Sequence, residues 1–571
     1  MKKVMYATML MASLSLTSMG CSTDDDATTS AQDTSANSSG SSESGTSGSG
    51  WDESQTQYAT VSGTLADNNV VVTWSGTSAT VELAANLDGV VKGEIRGGNV
   101  TLLADASLEE EVTYTLTGSS TNGSLYMDGS YKATFLLSGL HLVSTDSAAV
   151  NIRDGKRIGI CVADGTSNSL ADKSGGSHKA CLMVKGHAEF AGSGLLAIKG
   201  NTGHAFWSKE YCQLKKSFTG TINVTSAVTD GFNVNQYFEM NGGTVNISGV
   251  GDDGITVSYE TDDDGNVETD DENTGEVIIQ GGTLAITTTA TGSKGMKSEG
   301  NMTIGEDKGT TVVTITNSGS STGAGSQGGP WGGPQSSSTT SSSSSSAKGI
   351  KAEGTLTISA GTVSVTSASH EAIESKGAMT VSGGTVYAQG SDDAINAGGD
   401  LTISGGYVCA YSTGNDGIDA NGNCYVQGGT VFAIGATSPE VAIDANTEAR
   451  CQLYVQGGTL VALGGLEQGA SLSQTCYQSS SWSRNTWYAL YNGSNVALVF
   501  KTPASAGTPL VVSTPGATTL KSGVTPSGTA IWNGMGYADA SATSGSSVSL
   551  SSYSGGSTGG PGGHFGPGGR F

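Results

Sequence analysis

Residues 361–383 read GTVSVTSASHEAIESKGAMTVSG, and the same short text returns as GTVYAQGSDDAINAGGDLTISG (384–405), GYVCAYSTGNDGIDANGNCYVQG (406–428) and GTVFAIGATSPEVAIDANTEARCQLYVQG (429–457). The opening glycines Gly361, Gly384, Gly406, Gly429 and Gly458 stand 23, 22, 23 and 29 residues apart. A period this short means a solenoid. Each copy holds two alternating segments, such as Thr385–Ala388 and Leu401–Ser404, and alternation means strands with one face inward. Between them lies a polar phrase around one isoleucine, Asp392-Asp393-Ala394-Ile395-Asn396 or Asn415-Asp416-Gly417-Ile418-Asp419, which adds a third, very short strand. Three short strands per coil, glycine corners, no room for a ten-residue helix and no leucine-asparagine signature predict a parallel β-helix of about 22–23 residues per coil rather than a leucine-rich repeat.

Outward from this core the repeat extends back through corner glycines Gly194, Gly220, Gly243, Gly282 and Gly309. Two long intervals mark insertions, an acidic one at 262–275 (DDDGNVETDDENTG) and a low-complexity Gly/Ser segment at 318–346 that reads as disordered. The expected layout is a cap or irregular first coils at 51–137, the β-helix at 138–465, a β cap at 466–552 over the open last coil, and a Gly/Pro-rich tail at 553–571. Residues 1–20 read as an export signal ending before Cys21, the expected lipid acceptor; the alternative is an ordinary secretory signal, since Ser18 stands where a lipobox usually has leucine. Ser22-Thr23-Asp24-Asp25-Asp26 resembles an acidic lipoprotein export signal, which implies an outer-membrane lipoprotein displayed on the cell surface. Residues 21–50 read as a flexible tether, so membrane attachment is expected through lipid alone. The 571 residues carry a formal charge of −25, which argues against nucleic acid as a partner. Seven cysteines beyond Cys21 are odd in number and irregular in spacing, so no disulfide framework is expected, and Cys424 falls in an inward slot.

Equivalent positions of a β-helix stack about 4.8 Å apart, so side chains form rows. The residue two before each isoleucine gives Asp230, Asp253, Lys294, Lys348, Glu371, Asp393, Asp416, Val441; the residue after it gives Asn233, Thr256, Lys297, Lys351, Glu374, Asn396, Asp419, Asp444. Carboxylates at that spacing repel by about 3 kcal/mol even at an effective dielectric of 20, so either a cation is bound or their pKa values rise. The four lysines beside Glu371 and Glu374 allow an ion-paired surface ladder, or a catalytic base at Lys348 or Lys351. Asp392, Asp393, Asp416, Asp419 and Asp444, with Glu440 and the amides of Asn396 and Asn415, make a hard-oxygen surface suited to Ca²⁺. Asp230, Asp252 and Asp253 form a second candidate, near the acidic insert, which is calcium-loop-like in composition or else a solvated hairpin. Outward aromatic slots hold Tyr387, Tyr411 and Phe432, with Tyr407 at the ladder threonine position and Tyr425 and Tyr454 on the adjoining strand. These six rings suit stacking on sugars, or form an apolar patch under the C-terminal segment.

The phrases SGLHLVSTDSAAVNIRDGKRIGICVADGTSNSLAD (138–172) and GSGLLAIKGNTGHAFWSK (192–209), the repeated coils, and VALVFKTP with TPLVVSTPG near the C-terminus resemble the carbohydrate-binding β-helix family of secreted bacterial proteins, over about residues 60–550. The resemblance implies a right-handed parallel β-helix that binds plant cell-wall polysaccharide, cellulosic or pectic, with calcium on its acidic face and a fold like that of calcium-dependent polysaccharide lyases. Calcium bridging would let an acidic protein hold an acidic polymer. Lys294, Lys297, Lys348 and Lys351 interrupt such a calcium strip. The leading expectation is therefore a non-catalytic polysaccharide-binding lipoprotein; the alternatives are a pectate-type lyase and a structural adhesin stalk.

Overall fold

The computed structural model describes residues 55–104, 108–305, 310–322 and 345–555. The signal segment, Cys21, the tether, most of the 318–346 insert, Gly309 and the tail beyond 555 lie outside the described residues.

The molecule is an all-β parallel β-helix. Its short isoleucine-bearing strands, among them Ile373–Ser375, Ile395–Ala397 and Ile418–Ala420, are successive rungs of a sheet of 14 strands. The other two strands of each coil, such as Leu401–Ile403 and Tyr407–Ser412, pair in the same parallel fashion with their equivalents one coil away. The alternation read in sequence becomes interior stacking. Met379, Leu401, Cys424 and Leu453 occupy one inward column, and Ile373, Ile395, Ile418 and Ile443 another. All eight are buried, and each fully buried aliphatic side chain contributes about 1.5–3 kcal/mol. The seven cysteines of the described chain are free.

The corners need glycine for a physical reason. Gly406 sits at φ +77°, and a Cβ there would lie 2.7 Å from the carbonyl of Gly383 in the coil below. One corner differs from the sequence reading: register pairs Gly282 with Thr311, so Thr311, not Gly309, is the equivalent position in that coil. Thr311 is not among the residues with positive φ, so this corner does not require glycine.

Parallel pairing begins early, with Gly98–Ala104 against Gly123–Asp128 and Asn69–Gly76 against Val112–Ser120, after two antiparallel hairpins at the N-terminal end. At the other end Leu510–Ser513 runs antiparallel to Thr459–Leu463 and closes the ladder. Four antiparallel strands, Trp487–Asn492, Asn495–Lys501, Thr518–Ile531 and Gly536–Ser547, form a small closed barrel. This barrel does more than cover the end. Its apolar residues, including Phe500 and Trp532, pack on the flank of the last coils against Tyr387, Cys409, Phe432, Ile434, Val461 and Leu463. No helix among the described residues is long and apolar enough to cross a membrane.

Candidate functional site

The register of the 14-stranded sheet reproduces the row counted after each isoleucine: Asn233, Thr256, Lys297, Lys351, Glu374, Asn396 and Asp419 are cross-strand partners in turn. Asp444 follows through the Ile418–Ile443 bridge. The row also continues toward the N-terminus through Trp207, Met183, Asn151 and Tyr126. Sequence reading stopped at Asn233, and stepping one more coil back would have found Trp207. These side chains alternate with core residues and so point outward, yet Trp207, Glu374 and Asn396 are less than a tenth exposed. The face is therefore recessed.

The other row has a local structural cause. Asp230 Oδ1 accepts the amide N–H of Asp253 at 3.1 Å, Asp253 Oδ1 that of Lys294 at 2.6 Å, Asp393 Oδ1 that of Asp416 at 3.1 Å and Asp416 Oδ1 that of Val441 at 2.6 Å. Each aspartate thus satisfies a backbone donor of the next coil at a turn where the strand ladder does not. The second oxygen takes a donor three residues on: Asn233 Nδ2 for Asp230, Thr256 Oγ1 for Asp253, Asn396 Nδ2 for Asp393. Asn396 Nδ2 also reaches Asp419 Oδ2 at 2.7 Å, and Asn415 Nδ2 reaches Asp392 Oδ1 at 2.9 Å.

Stacking these carboxylates has the expected electrostatic cost. Burial, then the charges of Asp419, Asp416 and Asp392, push Asp393 up to about 9. Burial pushes Asp416 up to about 7, with Glu440, Asp419 and Glu467 adding to it. Asp419 rises to about 6 through burial and then Asp392 and Glu371. Asp444 rises to about 9 through burial and a hydrogen bond shared with Glu467. Among the described residues no lysine or arginine forms an ion pair with Asp392, Asp393, Asp416, Asp419 or Asp444. Hard-oxygen donors, one buried and the rest half-buried, with no lysine or arginine partner are of the chemical type that calcium takes.

The geometry divides these residues differently from the sequence reading. Asp230, Asp252 and Asp253 converge, with one oxygen from each within 4.8 Å of the others. Burial pushes Asp253 up to about 7 and raises Asp252, whose second cause is the charge of Asp230. Among the described residues Asp393, Asp416, Asp419 and Asp444 do not converge in this way and instead line a strip across consecutive coils. Asp392 converges with His370 and Glu371, a pairing that sequence reading missed because His370 lies one position outside the counted row. The acidic insert does not join the Asp252–Asp253 group. It follows Ile255–Ser258 whereas those aspartates precede that strand, and its ion pairs are Lys209 with Glu268 at 3.9 Å and His187 with Glu272 at 3.3 Å.

Lys348 is buried, with Nζ 2.5 Å from Glu374 Oε2 and 3.0 Å from Glu371 Oε2. Burial would raise Glu371, but its hydrogen bond with His370 and the Lys348 charge win and hold it at about 2. An ammonium clasped by two carboxylates of the next coil makes Lys348 the centre of a buried ion-pair cluster. Lys351 Nζ is likewise held by Glu353 at 2.5 Å.

The aromatic expectation needs correction. Phe432 is fully buried and Tyr387 nearly so beneath the small barrel, and Tyr407 and Tyr411 are half-buried in the same contact. Trp532 Nε1 donates to the Tyr407 carbonyl at 3.2 Å. Phe432 and Tyr387, roofed by protein, present no face to a sugar. Tyr425 and Tyr454 stay outside it but stack on each other, centroids 5.0 Å apart and 8° from parallel, so each spends one face on its neighbour.

A family model described as carbohydrate-binding domain-containing protein matches residues 96–394, a stretch that holds Asp230, Asp252, Asp253, the four lysines, Asp392 and Asp393 and ends before Asp416. No curated protein matches the chain. A solved polysaccharide lyase-like protein from C. thermocellum, in a gadolinium derivative, is 21% identical over 51% of this chain and 97% of its own, with a TM-score of 0.37. With 299 of the 571 residues inside the matched stretch, the chain belongs to the family of carbohydrate-binding domain-containing proteins.

Proposed function

We propose that this chain is a non-catalytic lipoprotein, anchored in the outer membrane through Cys21 and displayed on the cell surface, that captures acidic plant-type polysaccharide on the recessed face of its long sheet with calcium as the bridge. The observation that carries the reading is the run of Asp393, Asp416, Asp419 and Asp444 along consecutive coils, the first buried and the other three half-buried, all raised in pKa and without a lysine or arginine partner among the described residues. A divalent cation placed between that strip and a uronate carboxylate would neutralise both. The Asp230, Asp252 and Asp253 group is the compact seat that such a cation would take at the other end of the face. Membership in a carbohydrate-binding family supports the ligand class. The ion-paired state of Lys348 and Lys351 supports binding without β-elimination, which requires a free base.

The test is retention of polygalacturonate by the mature chain with calcium and with chelator, while the ultraviolet absorbance of unsaturated product is followed. Calcium-dependent retention with flat absorbance is the expected result. Growing absorbance would instead make the protein a lyase, and no retention of polygalacturonate in calcium would remove the acidic-polymer reading.

A further inference from the structure

The four lysines in the middle of the acidic rows are not equivalent. Lys348 holds two glutamates, Lys351 holds Glu353, and Lys294 Nζ donates to the Gly292 carbonyl at 2.6 Å. Lys297 differs: among the described residues it makes no ion pair or hydrogen bond. Its charge is felt by Asp252 and Glu353, both of which it pulls downward, but neither carboxylate is within ion-pair distance. It is half-buried and stands in the outward row between Thr256 and Lys351. On the N-terminal side the row offers only uncharged donors, Thr256 and Asn233, before Trp207.

A chain with 51 acidic and 26 basic side chains has carboxylates to spare, so a half-buried lysine of the recessed face that pairs with none of the described ones has an ammonium free to meet an anion from outside. We propose that Lys297 is the contact through which this face takes a uronate carboxylate directly, without metal, between two zones that use calcium. The inference deepens the reading above and rests on it. An extended polyanion laid along the row would meet, in order, the Asp230–Asp253 seat, the Lys297 amine and the Asp393–Asp444 strip. A charge-assisted hydrogen bond from an ammonium in a partly dehydrated face is stronger than a surface ion pair. It also makes the site selective for the free acid over its methyl ester, because the ester keeps the sugar backbone and loses the charge.

The experiment measures binding of the full mature chain to polygalacturonate and to fully methyl-esterified polygalacturonate, each in calcium and in chelator, for the parent, Lys297→Met and Lys297→Arg. Met keeps the apolar stem and removes the amine, and Arg keeps the charge. Expected in chelator is a weak, salt-sensitive parent affinity for the acid that falls about tenfold in Lys297→Met, the size of one charge-assisted hydrogen bond, with a shallower salt slope. Lys297→Arg should retain it, and ester binding should be the same in all three. Equal acid binding by parent and Lys297→Met in chelator, or no parent binding there at all, overturns the role of Lys297 while calcium-dependent retention leaves the proposed function standing. Absence of acid binding by the parent in calcium as well overturns both.

Discussion

Lys348 is held in a buried ion-pair cluster whose contribution a single substitution measures. Its two glutamates come from the next coil and its ammonium is buried, so the three charges depend on each other. Lys348→Met should cost about 3–5 kcal/mol in chemical denaturation, because it removes the buried cation between Glu371 and Glu374 and leaves them only the outer contacts of His370 and Lys376. A loss below about 1 kcal/mol would mean that water reaches the pair and compensates both carboxylates. The pairing was legible in the sequence, since counting from isoleucine to isoleucine put Lys348 one rung from Glu371. Two partners were not. His370 precedes the counted row by one position, and Glu467, which shares a hydrogen bond with Asp444, comes after the regular repeat has ended.

At the scale of elements, the small barrel decides which aromatic residues can meet a ligand. Trp532 joins it to the coils through the Tyr407 carbonyl and lies 6.1 Å, centroid to centroid, from Phe432. Trp532→Ala should remove about 3–5 kcal/mol of packing and loosen the barrel while the coils keep their far-ultraviolet signal. Limited proteolysis should then show cuts between residues 487 and 547 that the parent lacks; an unchanged cleavage pattern would show that the barrel holds without this anchor. Alternation correctly placed Tyr387 and Phe432 on the outside of the coil. What covers the outside is a contact between segments more than 50 residues apart, which no local periodicity carries. The Thr311 corner escaped for a related reason: the glycine rule applies where φ is positive, and at that coil it is not.

For the whole molecule the stacked carboxylates set a pH dependence. Their folded pKa values lie above the ordinary aspartate range, so the folded state holds protons that the unfolded chain releases. The stability they contribute is present at low pH and is lost as pH rises through the folded values of about 6 to about 9. In chelator the unfolding midpoint should therefore fall between about pH 5 and about pH 9. Calcium should flatten this slope. Asp416→Asn, whose side-chain oxygen can still accept the Val441 amide, should raise the midpoint in chelator at about pH 8 and weaken the calcium effect. A chelated parent as stable at pH 9 as at pH 5 would mean that the strip is better hydrated than its geometry implies. The solenoid itself was the most legible feature, because a short period with inward isoleucines admits few other packings.

The even register has a consequence for heredity. Gly383 precedes Gly384 as Gly405 precedes Gly406, so excising the codons for residues 384–405 would splice one glycine pair onto an identical one. The shortened chain would meet the same hydrogen-bonding partners at the seam and lose a single rung, with Asp392 and Asp393 on it. Duplicating those codons would add a rung. Slipped replication in this repetitive gene is thus a route by which a lineage could lengthen or shorten its grip on a polymer without refolding anything else.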